Sequence, residues 1–221
     1  MRKALSVYCI AYFILLIYVF GLQYVYPKLE LHLMLNSCHT DIQDTFFKYY
    51  SILAEWPLYV LALLPVFWKK ARMTLFFAIS ELLGGAIVQL LKYFISTERP
   101  VSIFEKYPDM VFPVVEGVNL HHYSSFPSGH TSTFFVFSTC CAIILAYHFS
   151  TRVRQDNRRA WILFHLSLLA LLALAVLGGY SRIYLSQHFL LDVYVGSIIG
   201  FITPFLVFCF GRNKILKLKK D

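Results

Sequence analysis

Long stretches without charge dominate this chain and leave few folds open to it. Residues 5–26, 131–150 and 160–181 carry no Asp, Glu, Lys or Arg. Residues 49–68 carry only Glu55, residues 73–94 only Glu81 and Lys92, and residues 189–210 only Asp192. A bilayer core of about 30 Å takes roughly 20 apolar residues as a helix. These six runs therefore predict an all-α polytopic membrane protein of six transmembrane helices. The composition agrees: 14% of the residues are charged, against about 25% in a soluble domain. No Gly/Ser/Pro-rich linker, internal repeat or low-complexity segment divides the chain, so residues 1–221 read as a single membrane domain. Arg2 and Lys3 precede the first run as they would in a signal peptide. That run is too long for one, however, and no small-x-small cleavage site follows, so it is expected to stay as a span.

The net charge of +8 comes from basic residues set between the apolar runs, not on one soluble face. This pattern speaks to membrane orientation and excludes nucleic acid as the partner. With six spans both termini fall on one side. That side holds Arg2, Lys3, Lys69, Lys70, Arg72, Arg152, Arg154, Arg158, Arg159 and the basic tail of residues 211–221, together 14 of the 20 Lys and Arg. The positive-inside rule then places both termini in the cytoplasm.

Three short blocks, spread over residues 92–192, carry the chemistry. Lys92, Arg99 and Pro100 lie in KYFISTERP; Pro127 to His130 read PSGH; Ser181, Arg182, His188 and Asp192 lie in SRIYLSQHFLLD. The predicted topology brings all three to the non-cytoplasmic membrane surface. His188 and Asp192 are four apart, on one face of the helix opening the sixth span. A carboxylate there can hold the proton of one imidazole nitrogen and leave the other as a nucleophile. In PSGH, Ser128 suits a helix N-cap and Gly129 allows close backbone approach, so the helix start offers an anion cradle. His130, in the first turn, is positioned to protonate a leaving oxygen. Lys92, Arg99 and Arg182 supply charge for the non-bridging oxygens of a phosphate. Each feature alone is commonplace: a capped helix, a snorkelling cation, an interfacial histidine. Their convergence on one face is what points to a phosphate site, and its position among spans points to a lipid phosphate.

K-x6-R-P, P-S-G-H and S-R-x5-H-x3-D, in this order, resemble the three signature motifs of the type 2 phosphatidic acid phosphatase family, relatives of class A acid phosphatases and vanadium haloperoxidases. All signature positions are present. The resemblance covers roughly residues 73–210 and implies a six-helix bundle of haloperoxidase-like type, working through a phosphohistidine without metal or other cofactor. It implies His188 as nucleophile, Asp192 as its partner, His130 as acid, and Lys92, Arg99, Ser128, Gly129 and Arg182 as phosphate ligands. Candidate substrates from the family are lipid A, undecaprenyl diphosphate, phosphatidylglycerol phosphate and phosphatidic acid. The stretch VEGVNLHHYSSFPSGHT resembles envelope lipid phosphatases of the Bacteroides group, including those acting on lipid A, which implies a bacterial inner-membrane enzyme facing the periplasm. The rival reading is a non-catalytic lipid-phosphate binder or transporter on the same scaffold. The presence of His130, His188 and Asp192 together favours the enzyme.

Other features carry weaker expectations. The connection of residues 96–126 is aromatic-rich and either grips a headgroup or packs over helix ends. Glu81, Gly85, Gln89 and Lys92 form a polar stripe on the third span, and an intramembrane carboxylate is a functional candidate. Gly84–Gly85 and Gly178–Gly179 are expected to allow close helix packing. His165 reads as a packing residue. The five cysteines imply no disulfide framework, and the oligomeric state is not legible.

Overall fold

The computed structural model describes residues 2–152 and 157–211, with the side chains of Arg2, Arg152 and residues 56–70 outside the description. Several of the orienting basic residues therefore lie outside the described residues (Arg154 and the tail beyond Gly211) or have side chains outside the description (Arg2, Lys69, Lys70 and Arg152). The described chain is all-helical: α1 (Arg2–Val25), α2 (Lys28–Leu35), α3 (Asp41–Ile52), α4 (Trp56–Phe94), α5 (Pro100–Phe104), α6 (Gly129–Arg152), α7 (Arg158–Tyr184) and α8 (Leu190–Gly211).

Five of these contain stretches long and apolar enough to cross a membrane: Lys3–Val25, Ala71–Phe94, Gly129–Thr151, Arg158–Tyr184 and Leu190–Gly211. They match the first and the last four expected spans. The expected second span, residues 49–68, is not one helix. Its first residues end α3, a turn follows, and α4 restarts at Trp56. Pro57 favours the break, because inside a continuous helix it would lose the bond to the Leu53 carbonyl and clash with it, whereas in the first turn of α4 its missing N–H costs nothing. No helix boundary falls at residues 69–72, since Lys, Ala, Arg and Met are good helix formers. The region between the first and second spans also holds more structure than its sequence announces, namely α2 and α3.

α6 and α8 form the centre. Half of each apolar window is buried, against 17% for α1, and their mutual packing is the most extensive in the molecule. The approach is close enough to need glycine. A Cβ on Gly196 would lie 2.5 Å from the Ser128 carbonyl oxygen, and one on Gly200 would lie 2.3 Å from that of Ser132. This G-x-x-x-G face is the small-residue packing expected between helices in lipid. Gly178 and Gly179 also permit packing, against Phe134, Thr131 and Val193. Gly85 does not: open space surrounds it.

Buried tyrosines fasten α1 to this centre. The Tyr8 hydroxyl pairs with Ser138 Oγ at 2.8 Å and that of Tyr12 with Ser197 Oγ at 3.2 Å, while the Tyr12 ring stacks on Phe201. His165 packs on Trp161 and bonds its carbonyl, as expected of a packing residue. α1 begins and α8 ends at the far end of the bundle, while α4 and α7 end, and α6 and α8 begin, at the near end with all three motifs. Replacing Gly196 by alanine is expected to cost about 1–3 kcal/mol through forced separation of α6 and α8. Gly85→Ala should hold or raise stability; thermal unfolding of the detergent-solubilised protein followed by circular dichroism reads both.

Candidate active site

The near end of the bundle encloses an open cavity of about 670 Å³. Lys92, Arg99, Gly129, His130, Arg182 and His188 line it, so six of the eight residues singled out by the motifs meet there. Ser128 and Asp192 stand behind this wall, and local structure explains why.

The turn from α7 to α8 sets His188. Arg182 lies in the last turn of α7, and its carbonyl accepts the amides of Gln187 and His188 at 2.9 and 3.1 Å. Ser186 takes a positive φ of 52° in this turn. Its hydroxyl donates to the Pro113 carbonyl and accepts from Asn36 Nδ2 at 2.7 Å. α2 and the long connection thus brace the turn from outside.

Asp192 lies one turn into α8. Its Oδ2 accepts the Phe189 amide at 2.9 Å and the Ser125 hydroxyl at 2.5 Å, and faces His188 Nδ1 at 3.5 Å. Ser125 Oγ also lies 3.5 Å from that nitrogen. With its proton given to Asp192, the serine can only accept from the ring. Both neighbours of Nδ1 are then acceptors, so Nδ1 carries the proton and Nε2 keeps its lone pair. The side chains of His188 and Asp192 are 2% and 5% exposed. Burial draws the imidazole down to about 3, with Asp192 pulling upward and the Arg99 and Arg182 charges reinforcing the fall. The ring is neutral at working pH.

Ser128 acts through its backbone. Its amide donates to the Asp192 carbonyl at 3.0 Å, and its hydroxyl accepts from Thr131 Oγ1 at 2.9 Å. The N-cap expectation holds, but this amide is engaged with α8 and faces no anion. Gly129 and His130 occupy the first turn of α6, where helical N–H groups have no acceptor in the helix itself.

The cations are tied into the loop above. Lys92 Nζ donates to the Ser124 carbonyl at 2.7 Å. Arg99 Nε donates to the Tyr123 carbonyl, and Nη1 to the carbonyl and Oε1 of Gln187. The Nε of Arg182 is buried without a partner. The aromatic connection divides: Phe104 stacks on Phe112 and packs by His32, whereas His121 lines the cavity. Glu81, Gly85 and Gln89 line it too, so the polar stripe of α4 faces the site.

Sequence reasoning missed Ser125 and Gln187. Gln187 adjoins His188, and its position alone was a clue. Ser125 is one serine of a loop pair, with no spacing to mark it.

His188 links geometry to pH. Between about 3 and its ordinary 6.5, the unfolded chain binds a proton there and the folded chain does not, so stability rises with pH across that window. His188→Gln should flatten the rise. Melting temperatures of both proteins at pH 4.5 and 6.5 test it.

Comparison with known proteins bears on this geometry. The PAP2 superfamily model matches residues 73–216. The crystal structure of Aquifex aeolicus LpxE is similar, with a TM-score of 0.60 and 26% identity over 82% of this chain and 95% of that one. The transmembrane PAP2-type phosphatidylglycerolphosphate phosphatase of Bacillus subtilis shares the fold, with a TM-score of 0.58 and 19% identity over 100% and 99% of the two chains. An Arabidopsis thaliana protein named "probable lipid phosphate phosphatase 4" is 28% identical over 132 residues. That match takes in 55% of this chain and 42% of the relative's own length.

Proposed function

The chain belongs to the PAP2 superfamily, and from that premise we propose that it hydrolyses the phosphate of a membrane lipid through a phosphohistidine. The observation that carries this reading is the Asp192–Ser125 pair facing His188 Nδ1, which leaves Nε2 as a nucleophile in a cavity shared with three cations. In the reaction Nε2 attacks phosphorus, and the bond to the ester oxygen breaks as His130, which takes up a proton with the incoming phosphate anion, passes it to that oxygen. Water then attacks the phosphohistidine with His130 taking its proton, and inorganic phosphate leaves. Lys92, Arg99 and Arg182 hold the non-bridging oxygens, as Mg²⁺ does in kinases. Gly129 adds the start of α6, and Ser128 contributes by fixing α6 to α8.

The names of the similar proteins support a lipid phosphate, as does a second, apolar cavity of about 300 Å³ that shares Ala54 and Thr133 with the first. Lipid A, phosphatidylglycerol phosphate, phosphatidic acid and undecaprenyl diphosphate are the candidates. The basic residues favour cytoplasmic termini and a site on the other face, in a bacterial inner membrane the periplasm. The start of α1 and the end of α8 at the far end of the bundle support that orientation.

Phosphate release from these four lipids, with EDTA present, tests the proposal. Release is expected to survive EDTA and to vanish in His188→Ala. Ser125→Ala should lose roughly tenfold in kcat, the scale of one hydrogen bond to a charged group. Lipid binding without release by folded protein would sink the enzyme reading in favour of a binder.

A further inference from the structure

The phosphatase chemistry does not use Glu81, although it lies inside the same cavity as His130 and Lys92. Its Oε1 accepts the Thr133 hydroxyl at 2.5 Å, and its Oε2 is buried without a partner. Thr133 follows His130 by three residues on α6, which places it on the same face and about 4.5 Å further along the helix. One turn along α4, Gly85 leaves open space where any side chain would intrude, and two turns along stands Gln89. The carboxylate and its clearance therefore sit just beyond the histidine that protonates the leaving oxygen. That is where the first atoms of the leaving group must lie.

Resting on the phosphatase reading above, we propose that Glu81 selects the leaving group. Its free oxygen accepts a hydrogen bond from a hydroxyl or amino group beside the phosphate ester. Its acceptor oxygens disfavour a leaving group that carries a second phosphate. The preferred substrate is then a phosphate monoester of a polyhydroxylated or amino-bearing headgroup, such as a sugar or a free glycerol. A diphosphate, or an ester whose neighbouring hydroxyl is acylated, is the poorer substrate. A site built to pair with a substrate hydroxyl rejects analogues lacking it because its own polar group is left unpaired.

Three lipids separate these classes. Phosphatidylglycerol phosphate has a free hydroxyl next to the scissile ester, phosphatidic acid has none, and undecaprenyl diphosphate presents a second phosphate. The kcat/KM of purified wild type, Glu81→Gln and Glu81→Asp is measured on all three, with His188→Ala as blank. Loss of folded protein cancels in ratios taken on one preparation. The wild type is expected to prefer phosphatidylglycerol phosphate to phosphatidic acid. Glu81→Gln should cut that preference roughly tenfold, mainly through KM, and raise the diphosphate relative to phosphatidic acid. Glu81→Asp keeps both acceptor oxygens and should keep the diphosphate poor. Unchanged ratios with His188-dependent release would overturn the role of Glu81 and leave the phosphatase standing. A diphosphate ratio that falls in Glu81→Gln would also overturn it. Absence of release from every lipid by wild type would remove the phosphatase reading and this inference together.

Discussion

One backbone hydrogen bond, from the Ser128 amide to the Asp192 carbonyl, joins the two helices on which the site depends. It is possible only because α6 and α8 approach to the distance that Gly196 and Gly200 allow. In lipid there is no hydrophobic drive between helices, so contact of this kind rests on packing and on hydrogen bonds that have no competing water. The bond fixes the start of α6, and with it Gly129 and His130, against the turn that holds His188. Two motifs nearly sixty residues apart thus become one rigid wall. The KYFISTERP block joins them through Arg99, which bonds the carbonyl and side chain of Gln187, and through Thr97, which accepts the amides of Ser125 and Phe126.

Polar groups pressed into an apolar setting must find partners, and the way they do so gives the site its order. Asp192 gathers a serine hydroxyl, an amide and the histidine on one oxygen. Ser186 is held from two sides by Asn36 and the Pro113 carbonyl. Lys92 and Arg99 hold loop carbonyls. Among the described residues, two of the four buried side-chain atoms without partners, Arg182 Nε and Glu81 Oε2, belong to residues that line the cavity. Those two atoms are free to pair with a ligand in the cavity.

Much of this was legible in the sequence. Phosphate chemistry demands fixed residue types, and helix geometry fixes their spacing, so Lys92, Arg99, His130, Arg182, His188 and Asp192 stood out before any coordinates. The polar stripe of Glu81, Gly85 and Gln89 was visible for the same reason of periodicity. What stayed hidden obeys no period. Ser125 acts from an irregular loop, where position follows from the whole fold. α2 and α3 are short and of mixed polarity, and hydropathy passes over them. The second span was drawn across Pro57 because charge and apolarity were weighed above the local restriction that proline imposes. Gly85 was read as a packing glycine, yet its smallness makes room for a ligand; a glycine's sequence neighbours do not tell the two apart.

Synthesis runs from the N-terminus, and α8 leaves the ribosome after α4, α6 and α7. Lys92, His130 and Arg182 are already in place by then, while His188 still lacks its carboxylate and α6 lacks the glycine face that seats it. The site is therefore complete only once α8 has inserted. Until then the earlier helices hold a set of unneutralised cations at the membrane surface. An assembled site is in this sense a report that α8 has reached its place.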